Sequence, residues 1–169
     1  MEGYENSELV IETTKKIDIL TKQLVIQSKS LDDIEKLVKD KEIKRVVMCS
    51  GKVYFDLLEE RDARGLNDIY LLRFEQFYPF PAMSAVKELE RFQNAEMIWC
   101  QEEPKNQGAW SFMEPNIEWV LSRMNAKFNR PIFVGRPASA SPATGLASQH
   151  KAQQTSLVDE ALNLKEIKK

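Results

Sequence analysis

The stretch "KRVVMCSGKVYFDLLEERDARGLNDIYLLRFE", residues 44–75, decides the fold. It begins with a short apolar run that ends at Ser50-Gly51, which predicts a buried strand followed by a turn. Apolar residues then recur at positions 53, 54, 57 and 58, the spacing of one helical face, and Gly65 predicts the end of that helix. The following "DIYLLRFE", residues 68–75, predicts a second strand. The stretch is therefore typical of a strand–helix–strand unit.

The same alternation continues to the end of the chain. After a rigid "YPFP" connector at 78–81, the pattern predicts a helix at 82–92, a strand at 95–101, a helix at 108–124, a strand at 130–135 and a helix at 149–164. Pro115 predicts either a kink in the third helix or a helix that begins at the proline. This alternation predicts an α/β fold with three layers, a mostly parallel sheet with helices on both faces, and right-handed crossovers.

The first 43 residues have a different pattern. They are charged, contain no proline and have a single glycine. "SLDDIEKLVKD", residues 30–40, predicts a helix capped by Ser30, whereas "ELVIETT" and "KQLVIQS" are each compatible with a strand or a helix. We expect residues 1–43 to be a lead-in segment and residues 44–169 to be the α/β domain.

Composition excludes several classes of protein. With 169 residues, of which 43% are hydrophobic, the chain is expected to form one domain with a sizeable core. The net charge of −2 argues against a nucleic-acid partner, which requires a basic face. No apolar run is long enough to cross a bilayer, and the acidic, polar N-terminus is unlike a secretory signal peptide. We therefore expect neither nucleic acid nor membrane as a partner.

Few residues are available for metal or nucleophilic chemistry. Cys49 and Cys100 each end an apolar run and have no CxxC partner, which favours buried, reduced thiols over a metal site or a disulfide. His150 is the single histidine, so a metal centre or a Ser/His/Asp triad would depend on one imidazole. "SASPATG" lacks the GxSxG pattern of a nucleophile elbow. We expect no catalytic, metal-binding or cofactor-binding residues in this chain.

Polar clusters follow all four predicted strands, at the edge where parallel sheets bind their ligands. These clusters are Ser50-Gly51-Lys52, Glu75-Gln76, the "QEEPKNQG" run at 101–108 and Gly135-Arg136-Pro137. We therefore expect four loops to converge on one rim.

Two cations on this rim predict an anion site. The backbone amides at Ser50-Gly51 and the ammonium of Lys52 would lie at a helix N-terminus, where negative charge is favoured. Arg136 could bind a phosphate in a bidentate manner, and Ser139 and Ser141 could add hydroxyl donors. The first turn is too short for a P-loop, so the competing interpretation is that it merely begins a helix.

The adjacent Glu102 and Glu103 leave two interpretations open. They could act as a paired acid and base, but adjacent residues on an extended chain point apart. Ion pairs with Lys52, Lys105 or Arg136 are therefore the favoured interpretation. In that case the two acids would neutralise the cations and leave no room for an anion.

Several long motifs, in the right order, resemble one family. They are "CSGKVYFDLLEER", "EQFYPFP", "WCQEEPKNQGAWSFMEP", "GRPASASPATGLASQHKAQQ" and "LVDEALNL", and they span about Lys44 to Leu164. This part of the chain closely resembles the C-terminal domain of the thiamine-diphosphate-dependent first component of the 2-oxoglutarate dehydrogenase complex, in particular its bacterial form. Residues 1–43 match the family poorly.

The resemblance implies a parent enzyme that decarboxylates 2-oxoglutarate on thiamine diphosphate and Mg²⁺. That enzyme passes the succinyl group to the lipoyl arm of the succinyltransferase component, in the bacterial cytoplasm. The resemblance also implies a transketolase C-terminal-domain-like fold that packs against the remaining domains of the same enzyme and in a homodimer. The family's cofactor residues lie in preceding domains, so we expect the isolated chain to be inactive.

The resemblance implies two roles for the polar rim. In the first, neighbouring loops and a second subunit are held by Gln101, Glu102, Glu103, Asn106 and Gln107, while Trp110 anchors the next helix. In the alternative, the domain is a regulatory module that binds a nucleotide or acyl-CoA effector through Ser50, Gly51, Lys52, Arg136, Ser139 and Ser141. An independent small enzyme is the least favoured interpretation.

Overall fold

A parallel four-stranded sheet forms the centre of the computed structural model, which describes residues 39–164. The central strands are β1 Arg45–Cys49 and β3 Glu96–Pro104, and the outer strands are β2 Ile69–Arg73 beside β1 and β4 Ile132–Arg136 beside β3. Since all three pairings are parallel, the strands end at one common edge, the carboxyl edge. The elements predicted within residues 1–38 lie outside the described residues.

A helix follows each strand, as the sequence predicts. The helices are α1 Val53–Ala63, α2 Ala82–Leu89 with a short 3₁₀ turn Glu90–Phe92, α3 Trp110–Ser122 and α4 Ala147–Leu162. Pro115 lies inside α3, so the alternative in which this helix begins at the proline is wrong. The helix begins at Trp110 because the first backbone N–H, which has no partner within a helix, donates to the side chain of Gln101.

The two faces of the sheet bury separate apolar cores. Val46 and Met48 of β1 pack on the side of α2 and α3, whereas Val47 and Cys49 pack on the side of α1 and α4. Successive strand side chains point to opposite faces, so a strand covered on both sides must be apolar throughout. The predicted three-layer α/β fold, with a parallel sheet and helices on both faces, is therefore confirmed.

The strand order creates a crevice between the two central strands. The chain leaves β1 toward α1 on one face of the sheet, and it leaves β3 toward α3 on the other face. The loops after these neighbouring strands therefore diverge. In open parallel sheets such a switch point is where ligands bind.

A bulge lengthens β3 beside this crevice. The sequence predicts that the strand ends at residue 101, but pairing with β4 continues to Pro104, which lies opposite Arg136. Cys100 pairs with Val134, so three residues of β3 stand against one residue of β4 between these two positions. Bulges of this kind redirect side chains at sheet edges. Residues 101–103 therefore form part of a wall at the carboxyl edge rather than a free loop.

One buried cation closes the opposite, amino edge of the sheet. Arg45 is fully buried, and its Nε and Nη2 donate to the Glu96 carboxylate at 3.1 and 2.7 Å. Its Nη1 donates to the backbone carbonyls of Glu160, Ala161 and Asn163 at the end of α4. The last carbonyls of a helix lack partners within the helix. Arg45 therefore joins β1, β3 and the last helix.

Candidate functional site at the carboxyl edge

The side chain of Gln101 organises the polar run that follows Cys100. Its Oε1 accepts hydrogen bonds from the indole Nε1 of Trp99 and the backbone N–H of Trp110, both at 3.0 Å. Its Nε2 donates to the carbonyls of Pro104 and Gln107 at 3.2 and 2.7 Å. Buried amides require partners of this kind on both atoms. One side chain thus folds residues 101–110 back on themselves and caps α3.

Two members of the predicted rim are therefore buried. Gln101 is 4% exposed and Trp110 is 6% exposed, so neither side chain is presented to solvent at the rim. The reason is that Gln101 follows Trp99 by two residues on a strand and so faces the same covered side of the sheet. Trp110 packs against Phe133 and anchors α3, as predicted.

Two glycines allow the backbone to approach Gln101 closely. Gly108 has a φ of +67°, and a Cβ there would lie 2.9 Å from Gln101 Nε2 and 3.0 Å from the Cβ of Glu103. A Cβ at Gly135 would lie 2.7 Å from the backbone oxygen of Gln101. Both positions therefore require glycine, the first for conformation and space and the second for space.

A cavity of about 600 Å³ opens at the switch point between β1 and β3. It is lined by the turn after β1 and by the wall at 101–109, together with four aromatic residues, Phe77, Tyr78, Trp99 and Phe112. We call it the aromatic–acid cavity, defined by Lys52, Phe77, Tyr78, Glu102, Glu103 and Phe112. Tyr78 is 86% exposed and Phe112 is 40% exposed, so the aromatic walls are open to solvent.

Acids outnumber cations in the aromatic–acid cavity. The Lys52 ammonium pairs with Asp56 at 2.8 Å and with Glu102 at 3.2 Å. The hydrogen bond to Asp56 is the main reason why the pKa of Lys52 is raised. Among residues 39–164, the Glu103 carboxylate has no hydrogen-bond or ion-pair partner. The interpretation of Glu102 as an ion-pair partner of Lys52 is confirmed.

A second cavity, of about 390 Å³, lies between the end of β4 and the start of α4. We call it the arginine–hydroxyl pocket, defined by Arg136, Ser139, Ser141, Thr144 and Gln153. No aspartate or glutamate is among the described residues that line it. Thr144 Oγ1 and Gln153 Oε1 are buried and have no hydrogen-bond partner within residues 39–164. Buried polar atoms without partners are uncommon, so both atoms are available to a bound polar group.

Asn106 fastens the polar run to the loop that carries Ser139. The Asn106 side chain donates to the Ser139 carbonyl at 2.9 Å and accepts from the Ser139 backbone N–H at 2.9 Å. Gln107 donates to the same carbonyl at 3.0 Å. Asn106 and Gln107 thus hold a neighbouring loop, whereas contact of the rim with a second subunit stays a prediction.

The predicted anion-site residues fall into two separate cavities. Ser50, Gly51 and Lys52 line the aromatic–acid cavity, and Arg136, Ser139 and Ser141 line the arginine–hydroxyl pocket. Glu102 lies between the two sets, since its carboxylate pairs with Lys52 and its backbone carbonyl accepts from Arg136. The six residues therefore do not converge on one ligand. Only the second set lies in a cavity without carboxylates.

Sequence reasoning missed the aromatic side of the site. Tyr78 belongs to the predicted 78–81 connector, and neither Phe77 nor Phe112 is among the predicted site residues. Phe112 is exposed, whereas its neighbours Trp110 and Met113 are buried. The missed signal is the dense aromatic content of "FYPF" directly after a strand.

The remaining candidates carry no chemistry of their own. Cys49 and Cys100 are free and buried, as predicted, and burial raises the pKa of Cys49 to about 12 and raises that of Cys100 as well. His150 is an exposed residue of α4. Within residues 39–164, no three His, Cys, Asp or Glu side chains are grouped to hold a metal ion. No helix in that part of the chain is long and apolar enough to cross a membrane.

Fold and site together define a class: a three-layer α/β domain that offers two cavities at the carboxyl edge of a parallel sheet. The family model described as "2-oxoglutarate dehydrogenase C-terminal" matches residues 17–162, and the chain belongs to this family. The match begins well before Lys44, within the segment expected to match poorly.

Curated relatives carry the same description. The chain is 60% identical over 131 residues to the 2-oxoglutarate dehydrogenase E1 component of Brucella anthropi, and to that of Brucella ovis. It is 61% identical over 127 residues to the E1 component of Brucella abortus. These alignments cover 78% or 75% of this chain, and the chain spans about 13% of the length of each relative.

Proposed function

We propose that this chain acts as the C-terminal domain of a bacterial, cytoplasmic 2-oxoglutarate dehydrogenase first component. In that role it supports the domains that decarboxylate 2-oxoglutarate on thiamine diphosphate and transfer the succinyl group to the lipoyl succinyltransferase component. The observation that carries the proposal is the 60% identity over 131 residues to the Brucella anthropi protein. Identity at this level, over a whole domain with an intact core, is far more specific than any short motif.

The described residues do not fit the cofactor themselves. Thiamine diphosphate is held through Mg²⁺ and its phosphates, and residues 39–164 contain no grouped metal ligands. When bound, the cofactor supplies the decarboxylation chemistry, while the protein supplies position and environment. The proposal therefore assigns cofactor binding to parts of the relatives that this chain does not cover.

The distribution of exposed apolar side chains supports a role in assembly. Among the described residues, five of the six exposed large hydrophobic side chains lie in loops or first turns at the carboxyl edge. These are Phe55, Tyr78, Met83, Phe112 and Leu146, whereas Trp119 lies later in α3. Exposed apolar residues concentrated on one side are typical of a contact surface. Other domains of the same enzyme and the homodimer partner are the proposed contacts.

A chimera tests this function. The C-terminal region of the Brucella anthropi relative is replaced by this chain, and 2-oxoglutarate-dependent reduction of ferricyanide is measured with thiamine diphosphate and Mg²⁺. The chimera should be active, whereas the relative without its C-terminal region and this chain alone should both be inactive. A folded, dimeric chimera without activity would contradict the proposal.

The arginine–hydroxyl pocket favours a second function, the binding of a regulatory nucleotide or acyl-CoA. It combines Arg136, serine hydroxyls and buried polar atoms without partners, and no described carboxylate lines it. Arginine and hydroxyl groups are suited to phosphate oxygens. Isothermal titration with AMP and with acetyl-CoA tests this function. Arg136→Ala should weaken binding, and Lys52→Ala, in the other cavity, should not; absence of sub-millimolar binding by both ligands would exclude it.

A further inference from the structure

We propose that the aromatic–acid cavity is a docking site for an arginine side chain presented by another protein segment. The inference does not depend on the proposed enzymatic role, because it rests on the cavity's own walls and charges. It also reverses the expectation of an anion at Lys52.

The position of the cavity supports a binding role. It lies where the loops after β1 and β3 diverge toward opposite faces of the sheet, which is the usual binding position in such folds. Its shape is set by a rigid wall, because Gln101 holds residues 101–110 through buried hydrogen bonds. A preformed wall reduces the entropy cost of binding.

The aromatic walls suit a flat cation. Phe77, Tyr78 and Phe112 line the cavity, and the last two are exposed to solvent. A guanidinium group is planar and weakly hydrated, and it is attracted to the faces of aromatic rings. A phosphate has no comparable attraction to these rings.

The charges select the same occupant. Glu102 and Glu103 line the cavity against Lys52 alone, and Lys52 is already shared with Asp56. The N-termini of α1 and α3 add roughly half a positive charge each, but that of α3 is capped by the Gln101 side chain. Negative charge therefore remains in excess, and the Glu103 carboxylate has no partner among residues 39–164. Carboxylates pair with guanidinium in a bidentate manner, which favours arginine over lysine.

A matched pair of peptides tests the proposal. ¹⁵N-labelled chain is titrated with acetyl-Gly-Arg-Gly-amide and, separately, with the same peptide carrying citrulline, which has nearly the same shape but no charge. The arginine peptide should shift the amide resonances of residues 50–52 and 101–112 in a saturable way, with a dissociation constant of about a millimolar for so small a ligand. The citrulline peptide should bind at least about tenfold more weakly.

Matched variants assign the effect to the cavity. Glu102→Gln combined with Glu103→Gln should reduce arginine-peptide binding by about tenfold or more. Glu114→Gln combined with Glu118→Gln removes the same charge from the surface of α3, where both acids face Arg130, and should leave binding unchanged. Unchanged amide dispersion in both variants verifies that they fold.

Four results would overturn the proposal. The first two are equal binding of the citrulline peptide and an affinity unaffected by the Glu102 and Glu103 substitutions. The third is that inorganic phosphate, and not the arginine peptide, shifts the cavity amides. The fourth is that the same amides shift when the chain alone is concentrated. The last result would assign the cavity to a second copy of this chain.

Discussion

The two edges of the sheet are each organised by one buried polar side chain, but the two side chains act over different distances. Arg45 at the amino edge and Gln101 at the carboxyl edge each make five hydrogen bonds among the described residues. The partners of Arg45 are 51 to 118 residues away along the chain, whereas those of Gln101 are at most nine residues away. Arg45 therefore joins distant elements, and Gln101 shapes one segment.

The difference shows how the domain separates stability from binding. At the amino edge, Arg45 donates hydrogen bonds to the Glu96 carboxylate and to the last carbonyls of α4. These polar groups are therefore not available to a ligand. At the carboxyl edge, the Gln101 wall fixes the backbone and leaves carboxylates, hydroxyls and aromatic rings facing two open cavities. Substitutions at the amino edge should therefore destabilise the whole fold. Those at the carboxyl edge should act locally, either on the wall that Gln101 holds or on binding in the two cavities.

The largest expected effect is that of Arg45→Met. The change leaves three carbonyls at the end of α4 and the Glu96 carboxylate without a buried donor, so the free energy of unfolding should fall by about 4 kcal/mol. Urea denaturation monitored by tryptophan fluorescence measures it. Arg64→Met is the control, since Arg64 also bridges α1 and α4 but is exposed and should cost less than about 1 kcal/mol. Equal losses in the two variants would contradict the role of Arg45.

Gln101→Ala should have the next largest effect and a more local one. It leaves Trp99 Nε1, the Trp110 N–H and several carbonyls without partners, so the free energy of unfolding should fall by about 3 kcal/mol. Hydrogen exchange should accelerate first at residues 101–112. Gln107→Ala, which removes only one donor to the Ser139 carbonyl, should cost less than about 1 kcal/mol. Uniform acceleration over the whole sheet would show that Gln101 does not act locally.

The pH dependence of the free energy of unfolding tests whether solvent in the carboxyl-edge cavities has access to the buried thiol of Cys49. Burial raises the pKa of Cys49 from 9.0 to about 12, so folding favours the neutral thiol. Its contribution to stability is complete below pH 9 and is lost as the pH rises toward 12, at about 1.4 kcal/mol per pH unit. Wild type should lose stability more steeply than Cys49→Ala between pH 9 and 11. Parallel curves, or rapid alkylation of the native thiol at pH 8, would show that Cys49 is accessible.

Phe112→Ser should have the smallest effect on stability. Phe112 is 40% exposed, so the free energy of unfolding should change by less than about 0.5 kcal/mol. Binding of the arginine peptide should nevertheless weaken, because a wall of the aromatic–acid cavity is lost. Trp119→Ser is the control, since Trp119 is 42% exposed on the same helix but does not line that cavity. If both variants bind alike, the aromatic wall plays no part.

The positions of the elements were largely predictable. The predicted strand at 44–50 matches β1, and the helices at 52–65 and 108–124 match α1 and α3 apart from their ends. Hydrophobic periodicity is a local property, so it is readable without the fold. The bulge after Cys100 was not predictable, because it depends on how β4 pairs with β3.

The candidate site was predicted only as a location. The sequence alone determined that polar loops follow four parallel strands and that Lys52 and Glu102 could pair. Hydrophobic periodicity and the positions of charged residues along the chain are local properties, so they can be read without the fold. Only the tertiary structure decided that Lys52 and Arg136 lie in different cavities, that Gln101 is buried and that Arg45 reaches the last helix. Each of these depends on groups far apart in the chain, whose distances are fixed only when the sheet and helices pack.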